Sequence, residues 1–390
     1  MLSSFERGTI SLIKSALSNT CAKIPEDYDF NKAYELSVAQ QIVPIIYYGA
    51  LGVEGFDKLE ISKKFLLATA KLTTYSANQL DLIEEVFKSF NQNGIDHLKL
   101  KGTVLKRMYP YPEMRMMSDA DILIKEDQYA KIKKIMLDLG FEKAYESDHE
   151  LAWRKNGFLI ELHRRLMPSY TEDYHSYYGD GWDKLEKYGE QGFEYRMNPN
   201  DEFIYNFTHF ARHYRDGGVG IKFMTDFYVF LEKHRELDMN YIENELEKME
   251  LTRFWQNTKK LINVWFYDEE SDEISDFITA KIFASDTYGT HLGKLEAEAA
   301  RLSQGGGSKA VKKKKFWNAA FPNFTTMKIL YPVLKKVPIL LPFMWIWRII
   351  DRLIFKRKKV KIQTVSDEAI DRYNLELDYV GLPYGFKSKV

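Results

Sequence analysis

The sequence predicts a mixed α/β (α+β) fold: a small mixed sheet forming a compact core, flanked by N-terminal and C-terminal helical regions. Apolar residues recur at three- and four-residue spacing before residue 95 and again after about residue 200, the mark of amphipathic helices. Between those stretches the pattern switches to two-residue alternation, broken by Gly, Pro and an Asn-Gly pair, as strands and tight turns require.

Residues 1–95 read as a helical lead-in, clearest in Ala33–Gly49 and Leu80–Phe90. The second region, 96–198, opens with a short strand at His97–Leu100, a turn at Lys101-Gly102 and a helix from about Thr103 to Tyr109, which Pro110 and Pro112 end. Met117–Lys125 alternates as a strand, and Glu126–Gly140 has helical spacing that stops at a glycine suited to a C-cap. Leu151–Arg154 and Phe158–Leu162 flank Asn156-Gly157, a strong hairpin signal. Residues 199–302 read as a second helical region without strands, and 303–390 as a tail that begins with the flexible composition of Ser303–Ser308 and the run Lys312–Lys315.

A chain of 390 residues, 45% hydrophobic, buries a substantial core without staples. Its one cysteine, Cys21, forms no internal disulfide and no zinc or redox motif. Glu6 stands where a signal peptide would have an apolar run, so a cytoplasmic protein is expected. The formal charge of zero argues against a surface devoted to nucleic acid. Charge is sorted along the chain, however: residues 309–361 hold 15 Lys or Arg and one acid, leaving 41 basic and 55 acidic residues elsewhere.

In a strand, residues two apart point to one side, so Asp119 and Asp121 would present their carboxylates together, with Ala120, Ile122 and Ile124 facing the other way. Glu161, among Phe158, Ile160 and Leu162, is a charge on an apolar strand and needs a partner or a metal. Three such carboxylates suit a pair of divalent ions about 3.5–4 Å apart, Mg2+ or Mn2+, of the kind that serves phosphoryl transfer. An isolated Asp-x-Asp also arises by chance, and Glu161 alone reads equally as a strand-edge residue. The order of elements favours the site.

Leu98–Thr103, Arg115, Ser118–Ile124, Leu139-Gly140-Phe141 and Glu161-Leu162-His163 resemble the bacterial uncharacterised nucleotidyltransferase family of the DNA polymerase beta superfamily. The likeness extends to His209, His213, Gly218, Lys222 and Asp226, and covers roughly residues 30–350. It implies that Asp119, Asp121 and Glu161 are the catalytic, metal-holding acids, with a nucleoside triphosphate as substrate and a hydroxyl group as acceptor. It further implies that Gly102 admits the phosphates, that Thr103 sits at an anion-binding helix N-terminus, and that Lys101 and Arg115 pair with the triphosphate. The wider superfamily carries Gly-Ser where this chain has Lys101-Gly102-Thr103. His209 and His213, four apart, read as a zinc face, as substrate or phosphate contacts, or as packing; Lys222 and Asp226, also four apart, as further site residues or as a helical ion pair.

Residues 337–347 are the longest uncharged apolar run, too short to span a bilayer and interrupted by Pro338 and Pro342. A helix from Phe343 to Phe355, followed by Lys356–Lys359, reads as a membrane-surface helix at the inner face, or as a stripe packed on the protein's own helices. Nucleic acid is not expected as a partner. A glycan or lipid-linked acceptor fits the resemblance. Two rival functions stand beside it: a metal-dependent glycosyltransferase using Asp-x-Asp, and a catalytically inactive, membrane-apposed binding protein.

Overall fold

The computed structural model describes residues 1–189, 192–303, 306–354 and 365–384. Four helices open the chain: α1 (Ser4–Ser18), α2 (Phe30–Ala39), α3 (Val43–Ala50) and the long α4 (Glu60–Gln92). Ser3 and Glu6 close a capping box on α1, and Asp29 caps α2. The sheet region follows as β1 (His97–Lys99), α5 (Gly102–Leu105), β2 (Asp119–Ile124), α6 (Tyr129–Asp138), β3 (Glu142–Glu146), β4 (Glu150–Lys155), β5 (Phe158–His163), α7 (Glu172–Tyr178), β6 (Leu185–Lys187) and β7 (Glu194–Met197). Helices complete the chain: α8 (Pro199–Arg215), α9 (Ile221–Lys233), α10 (Met239–Lys248), α11 (Thr252–Phe266), α12 (Glu273–Phe283), α13 (His291–Ser303), α14 (Gly307–Ala320), α15 (Phe324–Leu330), α16 (Leu341–Ile354) and α17 (Asp367–Val380).

The strands form one mixed sheet in the order β3-β4-β5-β2-β1-β7-β6. β2 runs parallel to β5 and antiparallel to β1, while β4 and β5 make the expected hairpin. Asn156 (φ 53°) and Gly157 (φ 82°) both occupy the left-handed region that a two-residue hairpin turn demands. Gly140 (φ 80°) ends α6, where the amide of Phe141 reaches back to the carbonyl of Met136. The expected mixed α/β architecture with helical flanks is the observed one.

Three strands were not legible in the sequence: β3, β6 and β7. The predicted helix over 103–109 is also shorter. It divides into α5 and a 3-10 turn at Lys106–Met108, because Tyr109 precedes Pro110 and takes an extended conformation. Of the glycine-bearing segment Ser303–Ser308, Gln304 and Gly305 lie outside the described residues, as do Lys356–Lys359 of the tail.

One face of the sheet is apolar. Ile122, Ile124, Ile160, Leu162 and Trp153 pack there with Leu82, Val86 and Phe90 of α4 and Ile132 and Met136 of α6. Burying each of the larger aliphatic side chains stabilises the fold by roughly 1.5–3 kcal/mol. The opposite face carries the acids. A separate and larger core, rich in Phe203, Phe207, Phe210, Phe227 and Trp255, joins α8, α9 and α11. The cavity described next lies where the acidic face meets α8 and α9.

Candidate active site

Asp121 on β2 stands directly opposite Glu161 on the parallel strand β5, and Asp119 stands opposite Leu159. Residues paired in this way share a face, and alternation brings His163 to that face too. Ligand-capable atoms of Asp121, Glu161 and His163 all lie within 4.8 Å of one another. Asp119 lines the same cavity, whose volume is about 360 Å³.

Asp121 is held from two sides. Lys101 Nζ donates to its Oδ1 at 3.1 Å, and His163 Nε2 lies 2.6 Å from the same oxygen. Burial alone would raise this carboxyl, but the charge of Lys101, followed by that of His163, overrides it and holds Asp121 well below the usual carboxylate range. Burial likewise works against the Lys101 ammonium, and the neighbouring Asp121 charge outweighs it and keeps Lys101 above its ordinary value. At Asp119 and Glu161 the balance tips the other way. Burial, then the charge of Asp121, raises Asp119; burial, then Asp121 and Asp119, pushes Glu161 up to about 8. Tyr145 of β3 donates its hydroxyl to Glu161.

The turn between β1 and α5 has two unusual features. Lys101 sits at φ 48°, ψ −118°, a sparsely populated conformation for a residue with a side chain, costing on the order of 1–3 kcal/mol. At Gly102 an added Cβ would come within 2.7 Å of Met117 Sδ and 3.3 Å of an Arg115 guanidinium nitrogen, so only glycine lets those side chains close over the turn. Thr103 departs from expectation. Its amide donates to the carbonyl of Leu100 at 3.1 Å, and the amides of Val104 and Leu105 donate to Lys101. The expected anion site at this helix start is therefore already occupied by the turn's own carbonyls. Thr103 lines a second cavity behind β1, and its buried hydroxyl has no partner among the described residues.

The wall opposite the carboxylates is helical. His209 and His213 bring their Nε2 atoms to 3.0 Å, and Arg212 Nη2 lies 3.1 and 2.9 Å from the two rings. Burial, then nearby cations (Lys101 first for His209, Arg212 first for His213), holds both imidazoles well below their ordinary range, so both are neutral. The reading of Lys222 and Asp226 as a helical ion pair is corrected by their partners. Asp226 accepts from Arg115 Nε at 2.7 Å and from the Tyr109 hydroxyl at 2.7 Å, whereas Lys222 Nζ donates to Tyr288 at 3.0 Å. Burial, then the charge of Arg115, lowers Lys222 to about 7. Arg115, expected as a charge partner for the triphosphate, lines the cavity but gives its Nε to Asp226 and an Nη to the Met116 carbonyl.

Several residues here were not singled out from the sequence. His149 contacts His163 at 3.0 Å, and Asn206, Arg212, Tyr288 and Lys294 line the cavity. Three of the lining residues carry a buried nitrogen without a partner among the described residues: His149 Nδ1, Asn206 Nδ2 and Arg212 Nε. Buried polar atoms in folded proteins are mostly satisfied, so these three nitrogens give the cavity polar groups open to a ligand or to water.

These donors fit a divalent cation. Asp119, Asp121 and Glu161 are hard oxygen ligands on one face, and the raised protonation of Asp119 and Glu161 reflects uncompensated negative charge that a cation would relieve. His163 Nε2 is within 3.8 Å of Glu161, so a nitrogen donor is also at hand.

The sequence signature of a family described as "Uncharacterised nucleotidyltransferase" matches residues 26–267, more than half of the 390. No curated protein matches the chain closely enough to count as a relative. A solved structure, that of the antibiotic-resistance factor ANT(2'')-Ia, is similar at 12% identity over 47% of this chain and 94% of its own, with a TM-score of 0.32. At that score the likeness carries no argument.

Proposed function

This chain belongs to the uncharacterised nucleotidyltransferase family, and from that premise we propose that it moves a nucleotidyl group from a nucleoside triphosphate to a hydroxyl acceptor, with Mg2+ or Mn2+ held by Asp119, Asp121 and Glu161. One observation carries the reading: the pairing of Asp121 with Glu161 across β2 and β5, beside Asp119, at the mouth of a cavity whose opposite wall is basic and imidazole-rich.

When bound, the divalent ions neutralise charge on the triphosphate and on the pyrophosphate that leaves. The chain's own residues do the rest. The bond that forms joins the acceptor oxygen to the α-phosphorus, and the bond that breaks releases pyrophosphate. Glu161, which lines the cavity and would be held as a carboxylate beside a bound cation, takes the hydroxyl proton. Lys101, fixed on Asp121, and Arg212 and Lys294 on the far wall provide positive charge for phosphate oxygens. His209 and His213, kept neutral, offer hydrogen bonds without adding charge. Arg115 and Asp226 tie the segment before β2 to α9 and set the width of the cleft.

Position at the cytoplasmic, inner face of a membrane, near a glycan or lipid-linked acceptor, belongs to the same proposal. The glycosyltransferase alternative calls for a parallel sheet at the start of the chain, where residues 4–92 form helices. The test is pyrophosphate release from each labelled nucleoside triphosphate with Mg2+. Activity in the native chain that disappears in both Asp121→Asn and Glu161→Gln supports the reading. Full activity in either variant ends the site assignment, and triphosphate binding without release favours an inactive binding protein.

A further inference from the structure

The tail helices turn their apolar side outward. On α16, Phe343, Ile346, Trp347 and Ile350 fall at helical positions i, i+3, i+4 and i+7 and so form one stripe. A stripe of this kind ordinarily packs against the protein. Here Phe343 is 67% exposed, Ile346 57% and Trp347 53%. The inward side of α16 is the more polar one. Trp345 donates its indole N–H to the Pro322 carbonyl at 2.9 Å, Arg348 donates to the Ala319 carbonyl at 3.4 Å, and Trp345 meets Phe321 edge-on.

The neighbouring elements carry exposed residues of the same two kinds. On α14, Lys312 and Lys313 lie three to four residues before Phe316 and Trp317, so cations and aromatics share a helix face, and all four are exposed. Between the two helices, Val333, Val337 and Ile339 are exposed beside exposed Lys335 and Lys336. Residues 309–354 hold ten Lys or Arg and one acid. No helix among the described residues is long and apolar enough to cross a membrane.

We propose that α14, α16 and the segment between them dock the protein on the surface of a bilayer containing anionic lipid. Phe316, Ile339, Phe343, Ile346 and Trp347 enter the headgroup boundary, and Lys312, Lys313, Lys335 and Lys336 pair with lipid phosphates. Exposed aromatic and aliphatic side chains interspersed in sequence with exposed lysines, on helices too short to span, have the chemistry of an interfacial anchor. The lysines select this occupant over a second copy of the chain, because two identical basic faces repel. The exposure of Phe343, Ile346 and Trp347 favours a surface role over the alternative of a stripe packed on the protein's own helices. This inference deepens the inner-face part of the proposed function and is independent of the carboxylate chemistry.

Flotation of the full chain with vesicles of phosphatidylglycerol and phosphatidylcholine, against phosphatidylcholine alone, tests it. The chain is expected to float with the anionic vesicles, more weakly with neutral ones and less as salt rises. Two variants separate the contributions. Phe343→Ser with Ile346→Ser and Trp347→Ser should lower the bound fraction at least about tenfold on both vesicles. Lys312→Gln, Lys313→Gln, Lys335→Gln and Lys336→Gln together should remove the preference for anionic lipid. Asp121→Asn should float like the native chain, which distinguishes failure here from failure of the catalytic reading. Absence of flotation with anionic vesicles, or flotation that neither variant changes, overturns the proposal. So does a sedimentation-detected dimer that the serine variant dissolves in a chain that never floats, since a second copy would then cover this face.

Discussion

The two walls of the cavity are built on different principles. The sheet wall presents Asp119, Asp121, Glu161 and His163, whose relative positions are set by the register of two parallel strands. The helical wall presents His209, Arg212 and His213 on α8, with Tyr288 and Lys294 from beyond α12. Its arrangement depends on how a large aromatic core happens to seat α8 against α9. Strand register fixes short acidic side chains to within a fraction of a side-chain length, as metal-assisted chemistry needs; helix packing sets the width and polarity of the space they face. Chemistry and substrate fit are thus assigned to separate, separately packed cores.

The contrast can be broken most directly by substitution. Asp121→Asn and Glu161→Gln are expected to lower pyrophosphate release by about 10³-fold or more, mainly in kcat. His209→Ala should lose only about tenfold, mainly through KM. Steady-state kinetics with varied triphosphate decide the matter, and equal kcat losses on both walls would erase the distinction.

Stability should divide the walls in the opposite sense. Asp226 and Arg115 are a buried pair, 6% exposed each, and Asp226→Ala leaves the guanidinium without its partner. A loss of about 3–5 kcal/mol is expected, read as a fall in thermal or urea midpoint. Asp119→Asn removes a carboxylate that burial and Asp121 already disfavour, so its midpoint should hold or rise. A large fall in Asp119→Asn would show that the sheet wall is structural as well.

A smaller effect concerns pH. Glu161 is raised from 4.5 to about 8, so its contribution to stability is complete below about 4.5 and is lost as pH climbs through 8. Added Mg2+ should therefore raise the melting temperature more at pH 8 than at pH 5. In Glu161→Gln the pH-dependent part of that shift should vanish; its persistence would place the cation elsewhere. The smallest effect is expected at Thr103, which lines a different cavity and whose hydroxyl has no partner among the described residues. Thr103→Val should leave turnover unchanged and stability within about 0.5 kcal/mol, and a tenfold loss of turnover would return Thr103 to the phosphate site.

The same division explains what the sequence reveals. Alternation exposed β2 and β5, Asn156-Gly157 marked the hairpin of β4 with β5, and the two-residue step placed Asp119 with Asp121. The same step from Glu161 reaches His163, a signal available but not followed to a role. β3 was not legible because Glu142–Glu146 is nearly all exposed and has no apolar alternation, and its pairing shifts between Lys143 and Tyr145. β6 and β7 have three and four residues, too few for any period, and exist because β7 finds β1 nearly a hundred residues away. His149 precedes β4 in a turn held by Ser147, and no local pattern announces its meeting with His163. The ion-pair reading of Lys222 and Asp226 fails for a related reason: helical spacing puts them within reach of each other, but Tyr288 and Arg115 are better placed.

The Tyr145 hydroxyl on Glu161 comes from β3, the outermost strand of the sheet. Edge strands open more readily than central ones in native-state breathing, so one contact of the proton-accepting acid hangs on an edge of its sheet. Any molecule that clamps or lifts that strand from outside would retune Glu161 without entering the pocket, and amide exchange along Glu142–Glu146 is where such remote tuning would register.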